Sequence, residues 1–312
     1  MTYNEQNEWK EIEKTLPERY RFNEKYKPTE EWWKWKEHNV HLDTFRNPDS
    51  KAKLILLHGV GTNGRQLSLI TGLPQFKNGY EVIAIDMPTY GLTQVKNRNN
   101  VTYDDWIQLA NDYINYELSK DNRPIFLYGL SAGGMETYDV AAKNRKVKGI
   151  IGMTFLDQLD MNVRDTTSNN IFMSRIGVPL LKFSKKIGLG KFTLKMSFAS
   201  KMSALCNNKE TMKIFMKDKT SAGNSASINF LESYMYHKLI TPPEEFEVCP
   251  ILLTQPENDK WTPLELSEPF LNKIKKVNVK TVTLKNGGHY PVEEEALDTM
   301  NFEIDSFIKN IL

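Results

Sequence analysis

Ile125-Phe126-Leu127-Tyr128-Gly129-Leu130-Ser131-Ala132-Gly133-Gly134 is the stretch on which the reading of this chain turns. An apolar run stops at a serine that has a glycine two residues away on either side, and a segment of helical character follows from Met135. A strand that becomes a helix at such a serine is the sequence form of a nucleophile elbow. The serine must adopt a strained backbone conformation there, and only very small neighbours let strand and helix approach so closely. The same residues also fit an ordinary glycine-rich turn, so the surrounding pattern has to decide between the two.

Short continuous apolar runs stand at residues 54–57 and 82–85, the signature of strands buried on both faces, and 147–153, 249–254 and 279–284 read as further apolar runs. Helical patterns lie between them: 102–118, with Thr102 as a cap and Trp106, Leu109, Ala110, Tyr113 and Ile114 on one face, then 132–143 and 263–276. This alternation predicts an α/β fold with a parallel sheet covered on both sides. Val40, Leu42 and Thr44 alternate with polar residues ahead of Asn47-Pro48-Asp49, the pattern of a half-buried antiparallel strand.

Two regions depart from that rhythm. Between 155 and 245 no buried strand is evident, and Met161, Met173, Met196, Met202, Met212, Met216 and Met235 are spread through a stretch with amphipathic segments such as 178–187 and 192–205. We read this as a helical cap inserted in the core, with Lys182, Lys185, Lys186, Lys191 and Lys195 making part of it basic. Residues 1–37 are highly charged. Trp9, Ile12 and Leu16 have near-helical spacing, and Trp32, Trp33 and Trp35 follow a helix-start signal at Thr29-Glu30-Glu31. The expected division is an N-terminal helical extension (1–37), an α/β core (38–154 and 246–312) and the cap (155–245).

At 312 residues the chain can hold one large α/β domain with an insertion. Lys and Arg number 41 against 39 Asp and Glu, and that net +2 gives no argument for nucleic acid. Cys206 and Cys249 form no CxxC pair, which fits a reducing compartment without a disulfide framework or zinc site. The opening MTYNEQNEWKEIEK lacks the apolar region of a secretory signal, and no uncharged apolar run approaches the roughly 20 residues of a membrane span. The expectation is a cytoplasmic protein that needs no cofactor or metal. Nothing in the sequence speaks to oligomeric state.

A serine nucleophile needs a base, and the base needs an acid to orient it. Of the five histidines, His289 follows the last strand pattern in Asn286-Gly287-Gly288-His289-Tyr290-Pro291. A loop there carries the imidazole over the C-terminal edge of the sheet, where Ser131 also falls. Asp259 comes directly after the strand pattern ending near Thr254, and Asp157, after the run ending at Met153, competes for the role of acid. The oxyanion of the intermediate needs two N–H donors. Ala132, next to the nucleophile, supplies one, and Val60 in His58-Gly59-Val60-Gly61-Thr62-Asn63-Gly64-Arg65 is the choice for the other, with His58 bracing that loop.

Together, HGVGTNGR (58–65), IDMPTYGLT (85–93), YGLSAGG (128–134), PENDKW (256–261) and GGHYP (287–291) resemble the α/β-hydrolase superfamily. The first of them is similar to the monoacylglycerol-lipase-like and serine-aminopeptidase-like branch. Leu130 departs from the pattern, since histidine is common before the serine, and so does Tyr90-Gly91. The resemblance implies an eight-stranded, mostly parallel sheet, a Ser131–Asp259–His289 triad, Val60 and Ala132 as oxyanion donors, and a structural Asp86. The function expected is a serine hydrolase acting on a small-molecule carboxylic ester with an apolar acyl group. Two alternatives stand beside it: a peptide or amide hydrolase using Asp157, Asp160 and Asp165 to hold a substrate ammonium, and a ligand-binding receptor with a vestigial triad.

Overall fold

Every residue of Lys53–Leu57, Glu81–Ile85 and Ile125–Gly129 is buried, as short apolar strands covered on both faces must be. Even Lys53 is inside, because its ammonium meets the Glu117 carboxylate at 2.9 Å and the Glu117 carbonyl at 3.0 Å. The computed structural model describes residues 2–312 and assembles these strands into one eight-stranded sheet. Its members are β1 (Thr29–Trp35), β2 (His38–Phe45), β3 (Lys53–Leu57), β4 (Glu81–Ile85), β5 (Ile125–Gly129), β6 (Gly149–Gly152), β7 (Ile251–Pro256) and β8 (Val279–Leu284). They lie in the order β1-β2-β4-β3-β5-β6-β7-β8. The pairs β1/β2 and β2/β4 are antiparallel and all the others parallel.

The chain passes from β3 to β4 on one side and then to β5 on the other. The sheet's order therefore reverses at β3 and β5, and a crevice opens beyond their C-terminal ends. Helices Tyr103–Lys120 and Ala132–Asn144 pack together on one side of the sheet, while Glu294–Ile311 packs on β6, β7 and β8. Thr102 caps the first of these helices through a capping box with Asp105.

The N-terminal region corrects one expectation. Glu8–Thr15 is helical, but Thr29–Trp35 is strand β1, paired along its length with β2. What read as a helix start is a two-residue alternation. Trp33 packs on Tyr113 and Tyr116 from one face, and Trp32 meets His41 from the other. Aromatic residues favour such a pleated, half-buried surface over a helix. Strand β1 thus lies within the segment assigned to the extension. The 263–276 region is likewise less regular than expected, with only Leu264–Leu266 and Glu268–Leu271 forming short helical turns.

Between β6 and β7 runs a mostly helical insertion with Met161–Thr167, Val178–Lys186, Lys209–Lys217 and Ile228–Met235 as its main helices. Val178–Lys186 packs on Ile228–Met235, and Lys209–Lys217 packs on the N-terminal helix Glu8–Thr15. The 192–205 segment is not one amphipathic helix. It opens with the strand Thr193–Lys195, paired antiparallel with Ser225–Ser227. Among the described residues no helix is long and apolar enough to cross a membrane.

Candidate active site

Ser131 has φ 57° and ψ −123°, a conformation that costs a residue with a Cβ about 1–3 kcal/mol. The flanking glycines explain how the turn closes around it. A Cβ on Gly129 would stand 2.0 Å from the Gly133 carbonyl oxygen, and one on Gly133 would stand 2.2 Å from the Leu57 carbonyl oxygen. No side chain fits at either position, so strand β5, the helix Ala132–Asn144 and the end of β3 meet at van der Waals distance. Ser131 is half-buried at the N-terminus of that helix, where the partial positive charge of the unpaired N–H groups favours a developing anion.

Ala132 is the first residue of the helix, so its N–H has no acceptor within the helix. The loop after β3 lies directly against it, since a Cβ on Gly59 would be 2.8 Å from Ser131 Cβ and 3.1 Å from Ala132 N. Val60 and Ala132 line the same cavity as Ser131. His58 is buried beneath this loop and does not reach the cavity. Its Nε2 accepts the Met87 N–H at 2.9 Å, which leaves Nδ1–H to donate to the Gly59 carbonyl at 2.9 Å. Burial holds its pKa below the usual range, so it braces the loop as a neutral ring.

After β7 the chain turns at Asp259, and after β8 the glycine loop brings His289 to it. His289 Nδ1 lies 2.8 Å from Asp259 Oδ2. Both groups are buried. Asp259 Oδ1 accepts the N–H groups of Trp261 and Thr262, both at 2.8 Å, and Oδ2 also accepts the Thr262 hydroxyl at 2.8 Å. Burial opposes the Asp259 charge, but the attraction of His289 and these donors outweighs it and holds the carboxyl down to about 2. His289 Nε2 is buried and has no hydrogen-bond partner among the described residues. Asp157 instead accepts the N–H of Leu159 at 2.8 Å, a local turn, and does not meet His289.

Two residues of this cluster escape a reading that looks only for acid, base and nucleophile. Thr262 braces both members of the Asp259–His289 pair, its hydroxyl 3.1 Å from His289 Nδ1. The Trp261 ring centroid is 4.9 Å from that of His289, and Trp261 Nε1 donates to the Thr167 carbonyl of the insertion at 3.0 Å. Their signal in the sequence is Asp259-Lys-Trp-Thr262, an aspartate whose side chain bonds backbone two and three residues on.

Asp86 lies beside the site and has a different task. Its carboxylate accepts Gly64 N–H at 2.7 Å, Leu92 N–H at 2.8 Å and the Tyr3 hydroxyl at 2.9 and 3.0 Å, and it pairs with His41 Nδ1 at 2.8 Å. It ties the N-terminal segment, β2 and the start of the helix Gly64–Leu67 to the end of β4.

Over Ser131 lies a cavity of about 370 Å³. Val60, Ser131, Ala132, Trp261 and Thr262 form its floor, and the insertion supplies the remaining wall, including Met173, Met196 and Met235. The lining is largely carbon, and no carboxylate, lysine or arginine belongs to it among the described residues. Met202 and Met212 are instead buried in the core. Of the acids considered for a substrate ammonium, Asp160 caps the helix Met161–Thr167 and Asp165 holds Ser174 and Arg175.

A family model described as serine aminopeptidase, S33, matches residues 48–296. No curated protein matches the chain. Among solved structures, a soluble variant of monoglyceride lipase from Saccharomyces cerevisiae, in complex with a substrate analog, is similar with a TM-score of 0.71 at 14% identity, over 91% of this chain and 96% of that one. The monoacylglycerol lipase of Paleococcus ferrophilus is similar with a TM-score of 0.68 at 20% identity, over 88% of this chain and 99% of that one. Est1E from Butyrivibrio proteoclasticus with ferulic acid bound is similar at 0.60 and 15% identity, over 90% and 98%. At these identities the likeness is one of fold.

Proposed function

The chain belongs to the serine aminopeptidase (S33) family of α/β hydrolases, and we propose that this member cleaves carboxylic esters with an apolar acyl group through an acyl-enzyme on Ser131. The observation that carries the reading is a convergence at one apolar cavity. Ser131 sits in its floor beside Trp261 and Thr262, and behind those two stands the buried Asp259–His289 pair. The inserted helices then serve as a cap that shapes the acyl site.

In this mechanism Ser131 Oγ attacks the ester carbonyl and its proton passes to His289 Nε2, the ring nitrogen without a partner. Asp259 holds Nδ1–H and stabilises the imidazolium that forms. The N–H groups of Ala132 and Val60 receive the oxyanion, strengthened by the helix N-terminus. Collapse breaks the ester bond, and the departing alkoxide takes the proton from His289. Water, deprotonated at the same Nε2, then attacks the acyl-enzyme and frees the acid and Ser131.

An ester with an apolar acyl group suits the lining better than an aminoacyl substrate. A substrate ammonium would need a carboxylate partner, and none lines the cavity among the described residues. Steady-state rates on p-nitrophenyl esters of increasing acyl length, set against aminoacyl p-nitroanilides, test this. Rates that rise beyond acetyl and stay low on the anilides are expected. Faster turnover of the anilides would overturn the ester reading in favour of the aminopeptidase one.

A further inference from the structure

The insertion carries an apolar stripe on the wrong side. Ile176, Leu180, Phe183 and Ile187 follow the helical spacing of a buried face, and at 100° per residue they fall within about 60° of one another. Each is nevertheless more than half exposed. Phe172, Phe192 and Phe198 extend the patch and are equally open to solvent. The opposite side of the helix Val178–Lys186 is the packed one. Lys185 pairs with Glu232 at 2.6 Å, and the Lys182 ammonium sits over the Tyr236 ring at 5.1 Å. Contiguous apolar exposure of this kind marks an interaction surface.

Charge selects the partner. Residues 166–201 hold seven basic side chains (Arg175, Lys182, Lys185, Lys186, Lys191, Lys195, Lys201) and no acidic one, in a chain whose net charge is only +2. Lys186, Lys191 and Lys195 are exposed and have no ion-pair partner among the described residues. An apolar stripe flanked by unpaired lysines, too short and too charged to span, is suited to lie in the headgroup region of a bilayer. The patch is also continuous with the cavity. Phe172, Ile176, Leu180 and Phe198 are exposed on the outside and line the space above Ser131 within.

We propose that the 172–198 face of the insertion docks on an anionic lipid surface, its apolar side chains entering the acyl boundary and its lysines meeting lipid phosphates or carboxylates. The rim of the cavity then faces the membrane, so an apolar ester reaches Ser131 without crossing water. This last consequence rests on the ester reading; the docking does not.

Flotation with vesicles tests the docking directly, using Ser131→Ala protein so that no turnover intervenes. Phosphatidylcholine vesicles are compared with vesicles of phosphatidylcholine and phosphatidylglycerol in equal parts. Binding to the mixed vesicles that weakens with salt is expected, with each of Lys186→Glu and Lys191→Glu lowering affinity at least about five-fold. Phe183→Asp and Ile187→Asp, at two exposed positions outside the cavity lining, should abolish flotation while leaving fluorophosphonate labelling of otherwise wild-type protein unchanged. Failure to float with mixed vesicles at low salt overturns the proposal. So does a concentration-dependent dimer, seen by light scattering, that Phe183→Asp dissolves, because the occupant is then a second copy of the chain. Loss of ester hydrolysis in wild-type protein with flotation intact would count against the ester reading alone.

Discussion

Both carboxylate oxygens of Asp259 are engaged, one by two backbone N–H groups and the other by Thr262 and His289. Asp259→Asn therefore keeps the turn but loses the charge that holds Nδ1–H and stabilises the imidazolium. We expect kcat to fall by about 10⁴-fold. Asp157→Asn touches only a local turn and should change kcat less than about three-fold, by the rule that surface changes away from the chemistry are near neutral. Steady-state kinetics of the two variants separate these outcomes, and a larger loss from Asp157→Asn would reassign the acid. Gly133→Ala makes a different demand at the same scale. Its methyl would stand 2.2 Å from the Leu57 carbonyl, so the elbow must open. A loss of about 3 kcal/mol by urea unfolding is expected, as for an overpacked core. Ser131, Asp259 and His289 were legible because each follows an apolar strand run, in an order that puts all three at one sheet edge. Thr262 was not, since a threonine hydroxyl that braces a carboxylate three residues back has no apolar pattern to announce it.

At the scale of elements, the strands buried on both faces were readable from their composition, and β1 was not. Its tryptophans alternate between a face packed on the core (Trp33, Trp35) and an exposed one (Trp32), and the three polar residues ahead of them imitate a helix start. What the pattern concealed is a buried charge cluster. His41 lies between Glu30 at 2.9 Å and Asp86 at 2.8 Å. Burial opposes its charge, but the two carboxylates prevail and push its pKa up to about 10 from 6.5. Between those values the folded protein holds a proton that the unfolded chain has lost. This contribution is complete below about pH 6.5 and disappears as the pH rises through about 10, with a slope near 1.4 kcal/mol per pH unit. Denaturant unfolding from pH 7 to 10 should show that decline, and a His41→Gln variant should show a flatter profile. Tyr3→Phe withdraws one donor from Asp86 and should cost about 1–2 kcal/mol without altering the pH slope.

For the molecule as a whole, the insertion is the part least determined by local pattern. Its helices are short, its methionines are spread over cavity wall, core and surface, and one of its faces is apolar toward solvent. On the proposed ester reading, this insertion would set the acyl length the site accepts while leaving the chemistry beneath it untouched. Met235→Trp, which fills part of the wall, should move the preferred p-nitrophenyl ester to shorter acyl chains and leave the rate on acetate within about three-fold, as for a substitution remote from the reacting atoms. The central claim, that Ser131 is a nucleophile activated by His289 and Asp259, is tested most directly by treating the protein with a fluorophosphonate and mapping the adduct by mass spectrometry. A single phosphonyl group on the Ser131 peptide, absent from Ser131→Ala and formed far more slowly in His289→Ala, is the predicted result. An unmodified Ser131 in folded wild-type protein, or an adduct on another residue, would contradict it.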